Sequence, residues 1–430
     1  MKPKPSRDLT RRLFVGHGLV SLAALVACSE SDSGGSSGAA GSGGAAGSGG
    51  TAGSGGAAGS GGTGGLPQGP DLESLIADIG PLGDVDANGL RLPPGFTSRI
   101  VARSQQTVAG TGYTWHSAPD GGATFLLPDG GWIYVSNSEV IFTGGVSALR
   151  FDASGDIVDA YRILADTSVN CAGGRTPWGT WLSCEEISKG KVFECYPLGD
   201  KPAEVRPALG VFKHEAIAVD LVNQHLFLTE DESDGRFYRF VPDQLTASGR
   251  ADLSAGKLQV AQVGTDDQVT WHDVPDPQFT GSVGTRRQVP ESTEFKGGEG
   301  ICYHDGVVYF STKGDNRIWA YTIASESIRV LYDESTDPNP ILHGVDNLTV
   351  SASGDVIVAE DGGDMEVVAI LPDGTLKPLL QVMGHEKSEV TGPAFDPSGT
   401  RLYFSSQRGT TNGSDDGYTF EVTGPFHRPK

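Results

Sequence analysis

Short runs of alternating apolar and polar residues recur along the chain, and each run is broken by a turn rich in Asp, Asn and Gly. Alternation with a period of two is typical of a half-buried β-strand, and Asp-Gly segments favour hairpin turns. Each unit therefore predicts a strand, a turn and a second strand, repeated at a spacing of roughly 40 to 60 residues. The six units are ATFLLPDGGWIYVSNSE at 123–139, CAGGRTPWGTWLSCEE at 171–186, EAIAVDLVNQHLFLTED at 215–231, EGICYHDGVVYFSTKGD at 299–315, DNLTVSASGDVIVAED at 346–361 and TGPAFDPSGTRLYFSSQ at 391–407.

This repeat predicts the fold class. Antiparallel hairpins that recur without long helices are typical of a β-propeller, in which each sheet forms one blade around a central channel. We predict an all-β, six-bladed propeller, with seven blades possible if the segment around Arg99 or the tail 418–422 forms a blade of its own. Before the repeat, Asp71 is expected to cap a short helix with four aliphatic residues on one face.

The first 28 residues carry two export motifs. TRRLF at 10–14 is a twin-arginine pattern, and LVAC at 25–28 resembles a bacterial lipobox after an apolar run that is too short to span a bilayer. Cleavage before Cys28 and acylation of its thiol are predicted, and Ser29 favours sorting to the outer membrane, facing the periplasm or the cell surface. An ordinary cleaved signal peptide is the alternative.

A tether and a folded domain are predicted after the signal. Residues 29–70 are dominated by Gly, Ser and Ala, and they lack the apolar side chains that would offset the entropy of ordering them. We predict a disordered linker there, followed by one propeller domain at 71–430.

The formal net charge of −22 restricts the partners. An acidic chain is poorly suited to nucleic acid, whose phosphates require positive charge. Abundant carboxylates suit metal cations, above all calcium, which prefers oxygen ligands. We therefore expect no nucleic-acid partner, a monomer, and membrane contact only through a lipid on Cys28.

Acidic residues recur at equivalent positions of the six units. In a hairpin, the start of the first strand and the end of the second lie at the same sheet edge, so in a propeller these positions gather around one channel mouth. Such carboxylates would repel one another unless cations neutralise them, which predicts a multi-metal centre; for any single acid, a solvated strand end is the alternative. The set comprises Glu139, Cys171, Glu185, Glu186, Glu215, Glu230, Asp231, Glu299, Asp315, Asp346, Asn347, Glu360, Asp361 and Gln407.

The five cysteines fit a metal site better than a disulfide framework. If Cys28 is lipidated, four remain, of which Cys184 and Cys195 flank a probable hairpin and are candidates to pair. Cys171 would be free, and a metal that holds its thiolate would account for a free cysteine in an exported protein.

Several longer strings resemble one known family. From about Leu92 to Gln407 the chain is similar to the PhoX-type alkaline phosphatases, and this resemblance implies a six-bladed propeller exported by the twin-arginine route. It also implies a pair of Fe(III) ions and several Ca²⁺ ions at one channel mouth, hydrolysing phosphate monoesters. The strings are LPPGF, NCAGG, TPWGTWLSCEE, FKHEAIAVD, LTEDESDGRFYRFVP, GEG, DNL and TGPAFDPSGTRLYF.

The resemblance also assigns roles to residues. Cys171 would be the thiolate ligand to iron, with Glu139, Glu215 and Glu299 as the nearest carboxylate ligands. The surrounding calcium and bridging ligands would be Glu186, Glu230, Asp231, Glu360 and Asp361.

One departure from the family concerns the phosphate clamp. The family has an arginine two positions before the glutamate that matches Glu299, whereas this chain has Gly297 in KGGEG. Lys296 is the adjacent cation and the candidate catalytic partner of Glu299, although it lies on the next pleat and offers a point charge instead of a bidentate fork.

Three functions follow, and the leading one is a metal-dependent phosphoesterase with a small phosphorylated substrate. The first alternative is a surface lipoprotein that binds metal or phosphate without turnover, which the missing arginine favours. The second is a calcium-dependent, lactonase-like propeller hydrolase, which Cys171 disfavours because hard calcium sites do not use thiolate.

Overall fold

The computed structural model describes residues 69–430. The predicted export signal, Cys28 and the tether up to residue 68 lie outside the described residues. Within residues 69–430 the regular elements are β-strands and four single-turn 3-10 helices, at Ile76–Asp78, Pro207–Leu209, Thr285–Arg287 and Ser414–Asp416. No helix in this part of the chain is long and apolar enough to cross a membrane.

Three strands, β1 (Leu72–Ser74), β2 (Leu90–Arg91) and β3 (Thr97–Arg103), precede six antiparallel sheets that follow in chain order. Blade 1 comprises β4 (Pro119–Leu126), β5 (Trp132–Ser138), β6 (Gly144–Phe151) and β7 (Ile157–Thr167); blade 2 comprises β8 (Asn170–Arg175), β9 (Trp181–Glu185), β10 (Val192–Cys195) and β11 (Glu204–Val205); blade 3 comprises β12 (His214–Val219), β13 (Leu226–Glu230), β14 (Phe237–Pro242), β15 (Gly256–Val263) and β16 (Val269–Asp273). Blade 4 comprises β17 (Gly298–His304), β18 (Val307–Thr312), β19 (Arg317–Thr322) and β20 (Ser327–Asp333); blade 5 comprises β21 (Val345–Val350), β22 (Val356–Glu360), β23 (Glu366–Ile370) and β24 (Leu376–Val382); blade 6 comprises β25 (Val390–Phe395), β26 (Arg401–Ser406) and β27 (Tyr418–Thr423), and β28 (His427–Pro429) ends the chain.

The fold is the predicted six-bladed β-propeller. Each of the six sequence units forms the first two strands of one blade, and the first strands of adjacent blades pack against one another around the channel. The repeat was visible because each unit has to bury both faces of its sheet between neighbouring blades, which selects the same apolar pattern six times.

An N-terminal strand closes the ring. Strand β3 pairs with β27, with Thr97 opposite Thr423 and Arg103 opposite Tyr418. The two segments that could have formed a seventh blade are therefore the outer two strands of blade 6, and six is the count. In the same way, β2 adds a fifth strand to blade 5 by pairing with β24.

The helix expected after Asp71 is wrong. Leu72 instead begins β1, which pairs with β28 next to the C-terminus, and only one 3-10 turn follows. Ile76 and Ile79 are buried in the apolar core of blades 5 and 6. Their spacing reflects contacts with that core, which a single turn satisfies as well as a helix.

Every first strand carries a β-bulge at the same position, between its first or second residue and the regular part of the ladder. A bulge inserts an extra residue, bends the strand and redirects a side chain. The two residues in each bulge are Asp120 and Gly121, Cys171 and Ala172, Glu215 and Ala216, Glu299 and Gly300, Asp346 and Asn347, and Gly392 and Pro393.

The bulges of neighbouring blades are tightly packed. A Cβ atom on Gly121 would lie 2.6 Å from the Cα atom of Ala172, and one on Gly392 would lie 2.6 Å from the carbonyl oxygen of Asp120. Gly392 also has a φ of 60°, which favours glycine. The sixth bulge therefore holds a glycine where the other five hold an acid or a thiol.

Candidate metal centre

The first residues of the bulges meet residues from the ends of second strands at one edge of the ring. Three groups result, and in each group one candidate ligand atom of every residue lies within 4.8 Å of the others. Asp346 belongs to two groups and links them. The thiolate group is Glu139, Cys171 and Glu186; the first carboxylate group is Glu215, Glu299 and Asp346; and the second carboxylate group is Asp346, Asp361 and Glu389.

Cys171 connects the thiolate group to its neighbours. Its Sγ atom lies 3.1 Å from Glu215 Oε1 and 3.7 Å from Asp120 Oδ2, which the thiol can reach as a donor. Burial raises the pKa of the Cys171 thiol well above its usual value, and the negative charges of Asp120 and Glu215 raise it further. Without a cation, the cysteine is therefore held as a thiol that donates to carboxylates.

Burial and mutual repulsion dominate the electrostatics of the acids. Burial raises the pKa of Glu215 well above its usual range, and the nearby charge of Glu299 adds to the effect. Burial also raises the pKa of Glu139 to about 8 and that of Glu389 to about 7, with Glu186 and Asp361 respectively contributing. A positive charge placed among these groups would reverse the effect.

Three cationic side chains already reach into the cluster. None of the three was identified from the sequence, and each one bridges two carboxylates, so together they offset only part of the negative charge. Lys213 Nζ lies 2.8 Å from both Glu186 Oε1 and Asp231 Oδ2, Lys313 Nζ lies 2.9 Å from Glu299 Oε1 and 3.3 Å from Asp361 Oδ2, and Arg408 contacts Glu139 and Glu389.

Side chains that follow the second strand of blade 6 contact acidic residues of blade 1 at the candidate site. The side-chain amide of Gln407 donates to Asp120 Oδ2 and, at 2.6 Å, to Glu139 Oε2. Arg408 lies next to it and pairs with Glu139. The junction between the last and first blades is thus built from the same side chains as the candidate site.

The donor set fits metal ions. Among the described residues, Glu215 Oε2 has no hydrogen-bond partner although it is buried, and Glu299 Oε1 makes only the ion contact with Lys313 without hydrogen-bond geometry. Leaving a buried carboxylate oxygen unpartnered is costly, and a cation would satisfy it. A thiolate with carboxylates suits a transition metal, whereas all-oxygen groups suit hard cations.

The structure brings together most of the residues predicted from the sequence. Glu139, Cys171, Glu186, Glu215, Glu299 and Asp361 all lie in the three groups. Asp231 lies beside them and shares Lys213 with Glu186.

Three predicted residues lie apart from the groups. Glu230 accepts the Tyr238 hydroxyl at 2.8 Å and pairs with Arg286, whereas Glu360 accepts the backbone N–H groups of His343 and Glu366. Lys296 is exposed and, within residues 69–430, has no carboxylate within 4.0 Å. The structure therefore does not bring Glu230, Glu360 or Lys296 into the three groups, and their roles as ligands and as a catalytic partner stay predictions.

Strand alternation explains which acid of each pair faces the site. Successive side chains of a strand point to opposite faces, so in Glu230–Asp231 and Glu360–Asp361 only the second residue reaches the cluster. Glu185 follows the same rule: it accepts the backbone N–H groups of Ser168 and Lys191 and supports the loops next to Glu186.

Several residues at the site were not predicted from the sequence, for three reasons. Asp120 and Glu389 lie just before the boundaries assigned to their units, although aligning the six first strands would have placed Asp120 with Cys171 and Glu215. Asp346 was noted at a strand start but not chosen as a ligand. Lys213, Lys313 and Arg408 follow or precede strand ends without a repeated pattern, so the sequence alone carried no signal for them.

A cavity of about 490 Å³ occupies the channel on the other side of the bulges. Its lining includes Thr124, Arg175 and Val350, and none of the residues of the three groups. The cavity and the candidate centre are therefore separate features, divided by the packed first strands.

Fold and site together define a β-propeller with a candidate multi-metal centre at one edge of its ring. A family model described as alkaline phosphatase PhoX matches residues 134–204 and 189–340, which include five members of the three groups. The resemblance to the PhoX type that the motifs predicted is thereby confirmed. Among curated proteins, no relative is detected by sequence.

Solved structures of similar fold are distant in sequence. PhoX of Pseudomonas fluorescens, solved with vanadate, a transition-state analogue, superposes with a TM-score of 0.64 at 16% identity, over 83% of this chain and 98% of that one. A protein of unknown function from Bacteroides thetaiotaomicron gives 0.47 at 9% identity over 76% of each chain. Regucalcin, a calcium-binding protein from Agrobacterium tumefaciens, gives 0.40 at 14% identity over 77% and 97%.

Proposed function

We propose that this protein is a metal-dependent phosphoesterase that hydrolyses phosphate monoesters in the manner of an alkaline phosphatase. The observation that carries the proposal is a cysteine thiol, Cys171, held inside a converging cluster of buried acids in a PhoX-type propeller. We assign Fe(III) to the thiolate group and Ca²⁺ to the two carboxylate groups, because thiolate suits the softer ion and carboxylate the harder one.

The metal ions, when bound, would neutralise the phosphoryl oxygens and supply an activated water for attack on phosphorus. The protein's own residues would provide the frame. The bulges hold Cys171, Glu215 and Glu299 in fixed positions, and Gln407 orients Glu139 through its amide. Rigid positioning of this kind is most of what a protein contributes to phosphoryl transfer.

Lys313 is our candidate for the cation that holds the substrate. Its backbone N–H donates to the carbonyl of Gly297 at 2.8 Å, so it lies directly across the ladder from the position where the family has an arginine. A Cβ atom on Gly297 would lie 3.9 Å from Lys313 Cβ, which places the two side-chain paths together. If Glu299 and Asp361 held metal ions instead of pairing with Lys313, the Lys313 ammonium would be free to bind the phosphoryl group.

An aryl phosphate assay on the exported protein, with iron and calcium supplied, tests the proposal. We expect turnover by the wild-type protein and loss of both iron and turnover in Cys171→Ala, with the fold preserved by circular dichroism. Turnover no higher than that of Cys171→Ala would refute the phosphatase function and favour a binding protein, in keeping with the absence of a guanidinium at Gly297. Calcium without iron would favour the lactonase-like alternative.

Attachment to the membrane through Cys28 is part of the same proposal. We infer a lipid-anchored monomer exported by the twin-arginine route to the outer membrane, supported by the two motifs at 10–14 and 25–28. A Cys28→Ser variant is expected to move from the membrane fraction to the soluble fraction. Equal membrane content in the two proteins would contradict lipidation at this cysteine.

A further inference from the structure

A strained loop lies beside the thiolate group. Phe142 follows the candidate ligand Glu139 by three residues and has a φ of 64°. Val169, two residues before Cys171, has a φ of 51°. Bulky and β-branched residues rarely adopt this left-handed conformation, and such strain persists where surrounding contacts enforce it, often at functional sites.

The contacts that enforce the strain also tie the loop to the candidate ligands. The backbone N–H of Phe142 donates to Ser168 Oγ at 3.0 Å, and that of Val169 donates to the carbonyl of Val140 at 3.0 Å. The N–H of Glu186 in turn donates to the carbonyl of Val169 at 2.8 Å. The loop is therefore fixed relative to all three members of the thiolate group.

This fixed loop presents apolar surface to solvent. Phe142 is 80% exposed and Ile141 is 63% exposed, and Phe142 is the only exposed phenylalanine or tryptophan in the described part of the chain. Single exposed apolar residues are common. Two adjacent ones, held rigidly in a strained loop beside a candidate active site, are not explained by the packing of the fold.

The direction in which a substrate must extend favours the same surface. On the channel side of the candidate centre the bulges of blades 1 and 2 pack closely, because a Cβ atom on Gly121 would lie 2.6 Å from the Cα atom of Ala172, and the channel cavity lies beyond these bulges. The organic part of a phosphate monoester must therefore lie on the solvent side of the centre. Three residues span at most about 11 Å, so Phe142 is within reach of an aryl or alkyl group whose phosphate is bound near Glu139.

We propose that Ile141 and Phe142 form a contact surface for the apolar leaving group, so that the preferred substrates are phosphate monoesters of aryl or long alkyl alcohols. This inference rests on the proposed phosphatase function. Phe142 is thus a specificity-determining residue, whereas recognition of the phosphoryl group belongs to the cluster itself.

Binding of two phosphonates to the metal-loaded protein tests the inference without requiring turnover. Phenylphosphonate and methylphosphonate share the anionic head and differ in the ring. We expect Phe142→Ala to weaken phenylphosphonate by about fivefold, the factor for an aromatic contact of about 1 kcal/mol, and to leave methylphosphonate unchanged. Phe142→Leu is expected to restore part of the loss.

Val222→Ala is the matched control, because Val222 is 78% exposed but lies in the β12–β13 turn, at the far end of that hairpin from Glu215. Equal weakening of both phosphonates by Phe142→Ala, or no weakening of either, would overturn the inference, as would failure of the wild-type protein to bind phenylphosphonate more tightly than methylphosphonate. Failure of the phosphatase function would appear separately, as ring-dependent binding without hydrolysis of an aryl phosphate.

Discussion

Replacing Gly392 with alanine tests the packing that holds the candidate centre together. Gly392 occupies the bulge of blade 6 that faces Asp120 of blade 1, and a Cβ atom there would lie 2.6 Å from the Asp120 carbonyl oxygen and 3.1 Å from the backbone nitrogen of Gly122. Both contacts are with backbone, so neither can be relieved by a side-chain rotation. The substitution must push blades 1 and 6 apart or strain both bulges.

The magnitude has two parts. Alanine in the left-handed region costs about 1 to 2 kcal/mol, and an extra methyl group in a close-packed contact costs a further 1 to 3 kcal/mol or so. We therefore expect Gly392→Ala to lower the free energy of unfolding by about 2 to 5 kcal/mol. It should also reduce metal content, because Asp120 moves with the bulge.

Gly374→Ala is the matched control. Gly374 has a φ of 86° in a surface turn, and an added Cβ would meet no atom within 4 Å. It isolates the backbone strain, so its expected loss is only about 1 to 2 kcal/mol with metal content unchanged. Urea unfolding followed by tryptophan fluorescence, together with elemental analysis, measures both quantities. Equal losses of stability in the two variants would refute the close packing of blades 1 and 6.

Three further predictions concern single side chains. Lys313→Met is expected to raise the KM for an aryl phosphate about tenfold, because a charge-assisted contact with the substrate is lost. Lys296→Met is the matched control at an exposed lysine and should leave KM unchanged. Equal KM values in the two variants would contradict the assignment of Lys313. Glu230→Ala should lower the free energy of unfolding by about 1 to 3 kcal/mol without changing metal content, because it breaks the hydrogen bond with Tyr238. Glu215→Gln, in contrast, should lower metal content without destabilising the metal-free protein. Elemental analysis and urea unfolding of each variant separate the two roles, and a loss of metal from Glu230→Ala would show that Glu230 is a ligand. Burial lowers the pKa of His427, whose Nδ1 is 2.8 Å from the carbonyl oxygen of Gly399. Its contribution to stability is therefore complete above the unfolded pKa of about 6.5 and is lost as the pH falls from there to the folded pKa. The free energy of unfolding should fall less steeply between pH 7 and 5 in His427→Gln than in the wild type, and parallel curves would count against this role.

The blades could be predicted from the sequence because their signal is local. A strand, a turn and a second strand occupy fewer than twenty residues, and the apolar pattern is repeated six times. Strand pairing between segments that are distant in the sequence gives no such local signal. The pairing of β3 with β27 connects residues near opposite ends of the described chain, so the sequence left a seventh blade possible.

The sequence could predict that the candidate site lies at strand ends, but it could not predict which side chain at each strand end faces the site. Glu186 lies with Cys171 in the thiolate group and Asp361 lies in the second carboxylate group, whereas Glu360 lies outside all three groups because strand alternation turns it to the other face. The bulges decide which side chain turns toward the centre, and a bulge depends on register with a partner strand. The contact of Lys313 with Glu299 and Asp361 likewise depends on cross-strand geometry that spacing alone does not reveal.

Closure of the ring by β3 and blade 6 also determines when the candidate site can assemble during synthesis of the chain. Glu389, Gln407 and Arg408 come from the last part of the chain to leave the ribosome. Gln407 and Arg408 hold Asp120 and Glu139, which leave it early. A nascent chain can therefore form separate hairpins long before the second carboxylate group exists. If the cluster binds metal as proposed, the second carboxylate group can bind it only after the end of the domain that supplies Glu389 has been synthesised and has folded against the rest.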